Sequence, residues 1–281
     1  MTVLTDSLVV DGVRLAYRDR DRGRGEPVIF IHGTPSHSYE WRHIVPHVEA
    51  TGRRVVTYDL LGYGRSERPV DRDTSVAAQT DLLGHLMDAL HLDRVNLVAH
   101  DIGGAVALRF ALAHPGQVRR LMIMDTVSYD SWPSPTWQKI IDERLDEATA
   151  MSRDAFDTLL TGQLTMAVAD PARMSGDVLE AYLAPHRSPL GRVSFFEHQV
   201  RHYDSTYTEE ISDRLGRLAM PVRIVWGEED QWQPLHYAKR LRDDIPGAEL
   251  VVVPGAGHFL MEDAPERLVR EILDFLATST P

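Results

Sequence analysis

Residues 95–104 read Val-Asn-Leu-Val-Ala-His-Asp-Ile-Gly-Gly, a pattern that indicates a buried strand turning sharply into a helix. The first half, Val95–Ala99, is a short apolar run of the kind found in buried strands. Directly after the two glycines, residues 105–113 have apolar side chains at helical spacing. The stretch therefore predicts a strand, a tight turn and a helix in immediate succession, with Asp101 exposed at the turn.

Comparable apolar runs bounded by turn residues recur along the chain and are predicted to be strands. They are Leu8–Val10, Val28–Ile31, Arg54–Tyr58, Arg120–Met124, Val222–Trp226 and Leu250–Val253. Amphipathic segments, predicted to be helices, occur at Val76–Leu90, Gly103–Ala113, Leu235–Asp243 and Pro265–Ala277. This alternation predicts an α/β fold with a mainly parallel sheet wrapped by helices.

Residues 127–218 interrupt the alternation, since they are rich in Trp, Pro, His and Tyr and contain no clear buried strand. We expect them to form a mainly helical cap, or lid, over a core domain made of residues 1–126 and 219–281. A cap inserted there lies over the carboxyl ends of the strands, where open α/β sheets hold their ligands. The charged segment Arg18–Glu26 is expected to be a solvated turn between early strands.

Composition excludes several classes of protein. The formal net charge of −12 repels nucleic acid and anionic lipid, so neither is expected as a partner. The sequence has no cysteine, which rules out disulfides and thiol catalysis. The start of the chain is polar, and no apolar run approaches the roughly 20 residues of a membrane helix, so a cytoplasmic protein is expected. The composition is compatible with a homodimer.

Asp101 is the candidate nucleophile, because it occupies the position that serine usually holds in a strand–turn–helix elbow. The amino end of the following helix stabilises its negative charge. The simpler alternative is an aspartate that only caps the helix.

Three further segments supply partners for Asp101. The backbone amides of Thr34, in the turn after Val28–Ile31, and of Ile102 are predicted to form an oxyanion hole. His258 follows the last predicted strand and is the candidate base, in the chain order nucleophile, acid, histidine. Asp230 is the predicted acid that orients His258, and Asp125 is the alternative.

This set predicts displacement at saturated carbon. Attack by the carboxylate forms an alkyl ester on Asp101, and water activated by His258 then cleaves it. No cofactor is required. No metal site is expected either, because His43 and His47 lack a third ligand and are interpreted as a polar helix face.

These motifs resemble the Asp-nucleophile branch of the α/β-hydrolase fold superfamily, which contains epoxide hydrolases, haloalkane dehalogenases and fluoroacetate dehalogenases. The likeness lies in His32-Gly33-Thr34-Pro35, the Asp59–Ser66 loop, the Asp101 elbow, Gly227–Asp230 and Gly257-His258. It implies a mostly parallel, eight-stranded sheet flanked by helices, with a helical cap. It also implies a hydrolase that uses water, while the aromatic residues of the segment 127–218 suggest a small apolar or aromatic organic substrate.

Residues that differ from those typical of each activity indicate which of these activities is expected. Ile102 and Thr34 stand where dehalogenases usually hold a halide, although Trp41, Trp132 or Trp137 can approach from elsewhere. Ile102 and Gly104 are not the arginines of a fluoroacetate dehalogenase. An epoxide hydrolase needs a lid acid, for which Tyr203 is the first candidate and His198 and Tyr207 are the others. Phe195-Phe196, however, stands about where a tyrosine pair is often found.

An epoxide hydrolase is thus the leading prediction, and a haloalkane dehalogenase with an atypical halide site is the alternative. A ligand-binding or non-hydrolytic protein of the same fold is the alternative from a different class.

Overall fold

A single eight-stranded sheet forms the centre of the protein, in the order β1-β2-β4-β3-β5-β6-β7-β8. The computed structural model describes residues 4–20, 23 and 25–277. The strands are β1 (Asp6–Val10), β2 (Val13–Arg20), β3 (Val28–Ile31), β4 (Val55–Tyr58), β5 (Val95–His100), β6 (Val118–Met124), β7 (Val222–Gly227) and β8 (Glu249–Val253). Only β2 pairs antiparallel with its neighbours β1 and β4, and all other pairs are parallel. The predicted α/β fold is confirmed.

Helices cover the sheet and fill the segment between β6 and β7. Those of the described residues are α1 (Val45–Ala50), α2 (Val76–Ala89), α3 (Ile102–Ala113), α4 (Pro135–Glu143), α5 (Leu145–Thr149), α6 (Arg153–Met166), α7 (Gly176–Leu183), α8 (Pro189–Ser194), α9 (Thr206–Ser212), α10 (Leu235–Asp244), α11 (Leu260–Asp263) and α12 (Pro265–Ala277). In α12 the buried side chains are Leu268, Ile272, Phe275 and Leu276, spaced to form one apolar stripe against the core. None of the described helices is long and apolar enough to span a membrane.

The predicted insertion is helical, with α4 to α9 between β6 and β7. Its own apolar centre is aromatic, since Phe156, Phe195 and Phe196 are buried and pack edge to face with ring centroids 5.1–5.9 Å apart. A short π-helical turn, Phe195–Gln199, follows α8 and carries two of these rings. The division into a cap of residues 127–218 and a separate core stays a prediction.

The expected turn over Arg18–Glu26 is wrong at its start, because Arg18–Arg20 belong to β2 and pair with β4. The charged side chains of this strand end have partners on neighbouring elements. Arg18 forms an ion pair with Glu49, and Asp19 accepts from Arg54 at 2.6 Å. Such partners let a charged segment form a strand that its composition alone does not indicate. Residues 21, 22 and 24 of the expected turn lie outside the described residues.

Candidate active site

The carboxyl ends of four parallel strands bring the predicted site residues together. Asp101 follows β5, Thr34 lies in the turn after β3, and Asp230 and His258 lie in the loops after β7 and β8. Parallel strands present these ends at one edge of the sheet. Residues far apart in sequence therefore meet there.

The turn at Asp101 is strained. Asp101 has φ +52° and ψ −120°, a conformation that a non-glycine residue rarely adopts. Glycines permit the close packing around it, since a Cβ on Gly103 would lie 2.6 Å from the His32 carbonyl oxygen. The Asp101 side chain makes no hydrogen bond that caps α3, so helix capping does not explain this residue. Strain of this kind clusters at functional sites.

Three side chains form a continuous buried chain of contacts. His258 Nδ1 lies 2.9 Å from Asp230 Oδ2, and His258 Nε2 lies 3.5 Å from Asp101 Oδ2. Asp230 also accepts from the backbone N–H groups of Trp232 and Gln233, at 2.8 and 2.9 Å, which fixes the orientation of its carboxylate. The His258 ring is therefore held with one nitrogen on Asp230 and the other beside Asp101.

The charges in this chain reinforce one another. Burial by itself disfavours the charged form of every member. Burial lowers the pKa of His258, but the charge of Asp230 and the contacts with both aspartates raise it well above 6.5. Burial raises the pKa of Asp101, yet the hydrogen bond and charge of His258 hold it below its ordinary value. The resting arrangement is thus an ionised Asp101 beside an imidazolium.

Asp125 lies next to this chain and does not bond the His258 ring. It follows β6, and its Oδ1 accepts from the Gly227 N–H at 2.8 Å. Burial, and then the charge of Asp230, raise the pKa of Asp125 well above its ordinary value. Of the two predicted acids, Asp230 is the one within hydrogen-bond distance of His258.

One oxygen of Asp101 already occupies the predicted oxyanion position. The Thr34 N–H donates to Asp101 Oδ1 at 2.7 Å. Ile102 is the first residue of α3, where backbone N–H groups have no acceptor within the helix. The Thr34 amide therefore holds Oδ1, with Oδ2 left on the side of His258.

A cavity of about 290 Å³ opens above Asp101. Its walls come from the insertion and from the loop after β7, and Asp101 is the one charged side chain among the described residues that line it. The lining residues are Thr34, Pro35, Asp101, Val127, Ser131, Trp132, Pro133, Ser134, Thr136, Trp137, Leu160, Gln163, Met166, Phe195, Tyr203, Gln231, Trp232 and Gln233. The cavity is of a size that holds a small molecule.

Tyr203 is the predicted lid acid that the structure brings to this cavity. Its hydroxyl lies 2.7 Å from Thr34 Oγ1, and Tyr63 donates to the same threonine oxygen at 3.3 Å. Burial raises the pKa of Tyr203, the hydrogen bond with Thr34 opposes this rise, and the charge of Asp101 adds to it. Tyr203 therefore holds its proton at neutral pH.

The other predicted donors lie elsewhere. The His198 ring contacts the Pro69 carbonyl oxygen and Ser194. The Arg109 guanidinium carbon lies 5.8 Å from the centroid of the Tyr207 ring. Neither residue lines the cavity. Trp132 lines it but donates its indole N–H to Thr208 at 3.0 Å.

Trp41 packs against Phe30 in the core, away from the cavity lining, whereas Trp137 lines it. Within the described residues, no cluster of three or more metal-binding side chains occurs, and His43 and His47 belong to none.

Sequence reasoning missed several residues of the site. Tyr63 belongs to the Asp59–Ser66 loop, where the motif identified the fold without assigning that side chain a contact. Trp232 packs against His258, with ring centroids 4.7 Å apart and the planes tilted by 39°, and Gln231 and Gln233 flank it in the cavity wall. The signal available was their position directly after Asp230.

Comparison with known proteins agrees with this architecture. Residues 26–265 match the alpha/beta hydrolase fold family, to which the chain belongs. It is 30% identical over 284 residues to a cis-3-alkyl-4-alkyloxetan-2-one decarboxylase of Xanthomonas campestris, covering 94% of this chain and 93% of that protein.

Solved structures of proteins with the same fold are also similar to this chain. An alpha/beta hydrolase fold protein from Burkholderia ambifaria is 36% identical, with a TM-score of 0.90 and 98% of each chain covered. The epoxide hydrolase CorEH is 25% identical, with a TM-score of 0.81, covering 97% of this chain and 98% of its own.

Proposed function

We propose that this protein is an epoxide hydrolase of the Asp-nucleophile branch that acts on a small, uncharged, largely apolar epoxide. One observation carries the proposal. A single carboxylate, Asp101, has one oxygen on the Thr34 amide and the other facing His258, while the protonated hydroxyl of Tyr203 is anchored beside it in the same cavity.

In the first half-reaction Asp101 Oδ2 attacks an epoxide carbon. The carbon–oxygen ring bond breaks, and the ring oxygen takes the proton of Tyr203. Attack removes the charge of Asp101, which is one of the groups that raise the pKa of Tyr203. The tyrosine thus becomes a stronger acid while the leaving oxygen needs a proton.

In the second half-reaction water attacks the ester carbon of Asp101. Loss of the Asp101 charge also lowers the pKa of His258, so its proton passes to the Tyr203 oxygen and restores that hydroxyl. The neutral imidazole can then accept the proton of the attacking water. Asp230 stabilises the imidazolium that forms. The oxyanion develops on Oδ1, where the Thr34 and Ile102 amides receive it. Collapse breaks the bond between the ester carbon and Oδ2, and the proton of the new carboxyl group passes to the departing oxygen, which releases the diol and the free carboxylate.

The cavity wall argues against anionic substrates. No Arg, Lys or His stands among the described lining residues, so a substrate carboxylate would lose its hydration without gaining a cationic partner. This supports neutral substrates over fluoroacetate.

A haloalkane dehalogenase remains the alternative with less support. The indole N–H of Trp132 is already bound to Thr208 and Trp41 does not line the cavity, which leaves Trp137 and Trp232 as indoles in the wall. Of the three tryptophans named from the sequence, Trp137 alone is thus left to donate to a halide, with Trp232 as a further indole in the wall.

A second candidate is opening of an oxetan-2-one, favoured by the relatives named as decarboxylases of such rings. Attack by Asp101 on the saturated ring carbon that is bonded to the ring oxygen would break that bond and expel the ring carboxylate. Loss of carbon dioxide would then form an alkene and expel Asp101 as a carboxylate, without water. This sequence needs neither Tyr203 as acid nor His258 as base, so variants separate it from epoxide hydrolysis.

The test uses His258→Ala, which retains Asp101 but lacks the base. Incubation with alkyl and aryl epoxides, primary haloalkanes and dialkyl oxetan-2-ones, followed by intact mass measurement, reveals any ester. We expect an adduct equal to the whole epoxide, absent in Asp101→Ala. An adduct equal to the haloalkane minus hydrogen halide would support dehalogenation. Alkene formation without an adduct would support decarboxylation, and no reaction with any probe would favour a binding or non-hydrolytic protein.

A further inference from the structure

A second buried acid–histidine pair lies behind the candidate site. Glu40 and His100 are both fully buried, and His100 Nδ1 lies 3.3 Å from Glu40 Oε1. Within the described part of the chain, neither this nitrogen nor either Glu40 oxygen has a hydrogen-bond partner, so the ion-pair contact is the one polar contact that they make. Burying a carboxyl group with so few polar partners is energetically unfavourable. Such an arrangement calls for an explanation.

Hydrogen-bond chemistry fixes where the protons lie. His100 Nε2 is 3.1 Å from the carbonyl oxygen of His258, and a carbonyl only accepts, so Nε2 carries a hydrogen. Two lone pairs facing each other would repel, so one proton also lies between Nδ1 and Oε1. Glu40 and the His258 carbonyl thus hold the His100 ring from its two nitrogens.

The pair acts on the loop that carries His258. The Gly257 N–H donates to Asp263 Oδ2 at 2.8 Å and the Phe259 N–H donates to the Ala167 carbonyl at 3.0 Å. The bond from His100 fixes the carbonyl between these two amides, and the His100 and His258 rings lie 4.8 Å apart. The loop is therefore held on both sides of His258 and at His258 itself.

We propose that Glu40 and His100 are positioning residues that hold the main chain of His258, and so set its Nε2 for activation of the water that cleaves the Asp101 ester. The proposal rests on the proposed ester mechanism. Attack by Asp101 does not require His258 as base, whereas cleavage does, so the pair affects the second half-reaction selectively. A displacement of about 1 Å at a reacting group can cost about 100-fold in rate.

The test compares Glu40→Leu and Glu40→Gln with a control, Glu49→Gln, which removes a half-buried carboxylate paired with Arg18 far from the site. Leucine removes the partner of Nδ1 and keeps an apolar side chain in the core. Glutamine can donate to Nδ1 and so preserves the hydrogen on Nε2. Quenched single turnovers with an epoxide, followed by intact mass, give the rates of ester formation and ester cleavage separately.

We expect Glu40→Leu to slow ester cleavage by about 10- to 100-fold, with little change in ester formation, so that the ester accumulates. Glu40→Gln restores much of the cleavage rate, and Glu49→Gln leaves both rates as in the parent. Equal losses in both half-reactions, or an unchanged cleavage rate in Glu40→Leu, would overturn the proposal and leave the ester mechanism intact.

A second readout does not depend on activity. Side-chain ¹⁵N spectra, with the signals assigned from His100→Gln and His258→Ala, report the tautomer of each ring. We expect a proton on His100 Nε2 in the parent and in both variants, a changed His100 Nδ1 signal in Glu40→Leu, and a shift of the His258 signals in that variant alone. Unchanged His258 signals would overturn the proposal even if no probe formed an ester.

Discussion

Replacing Tyr203 by phenylalanine removes one hydroxyl from the wall of the cavity and, on our proposal, the acid that protonates the epoxide oxygen. General acid catalysis typically contributes about 10²–10⁴ in rate. That range corresponds to about 3–5 kcal/mol of barrier. The loss should appear in formation of the ester, because cleavage of the ester depends on His258.

The fold should survive this change. Thr34 Oγ1 loses the Tyr203 hydroxyl at 2.7 Å but keeps Tyr63 at 3.3 Å, so no buried polar group is left without a partner. The cost in free energy of unfolding is then that of one hydrogen bond, about 1 kcal/mol.

The assay measures ester formation in a His258→Ala background, with and without Tyr203→Phe, on an epoxide and on a primary bromide of similar shape. Bromide leaves without a proton, so its rate of displacement should stay within a few-fold of the parent. Asp101→Ala corrects for reaction at other residues. Equal losses for the two leaving groups, or no loss with the epoxide, would refute the role of Tyr203.

The remaining predictions concern the acid pair, a buried histidine and the aromatic centre of the insertion. Asp230→Asn should slow ester cleavage by about 10⁴-fold, and Asp125→Asn by less than about tenfold, since only Asp230 contacts His258; similar losses in single turnovers would contradict this assignment. Burial lowers the pKa of His186 to about 4, so between about pH 6.5 and pH 4 this side chain binds a proton in the unfolded chain but stays neutral in the folded chain. Folding stability from this residue, up to about 3 kcal/mol, is present above pH 6.5 and lost as the pH falls toward 4. Urea unfolding at several pH values should show a shallower loss in His186→Gln than in the parent, with exposed His85→Gln as the control; parallel curves would rule it out. Phe156→Ala should lower the free energy of unfolding by about 3–5 kcal/mol, because the ring is fully buried, and a value under about 1 kcal/mol would mean that the insertion repacks.

The sheet and the polar residues at its edge were accessible from sequence because each depends on local pattern. A strand followed at once by a turn fixes where Asp101 lies, and the carboxyl ends of parallel strands must share one edge. The strand β2 was not predicted, and the charges at its end, on Arg18 and Asp19, are matched only by partners on other elements.

Which side chain of the lid lines the cavity could not be predicted from local sequence pattern. Tyr203, His198 and Tyr207 lie within one short segment, yet only Tyr203 lines the cavity. Which side chain points inward depends on the π-helical turn Phe195–Gln199 and on the packing of its rings, which are properties of the folded insertion. The Glu40–His100 contact likewise joins residues whose proximity no local pattern indicates.

The hydrogen bond between Tyr203 and Thr34 joins the insertion to the core at the point where the chemistry is proposed to occur. Any opening wide enough to admit substrate by moving Tyr203 would separate that hydroxyl from Thr34 and from the Asp101 carboxylate. The open enzyme would then possess a nucleophile without an acid. Ring opening of a bound epoxide would begin only when the insertion closes and Tyr203 again bonds Thr34. The closure that excludes bulk water would therefore also supply the acid for ring opening.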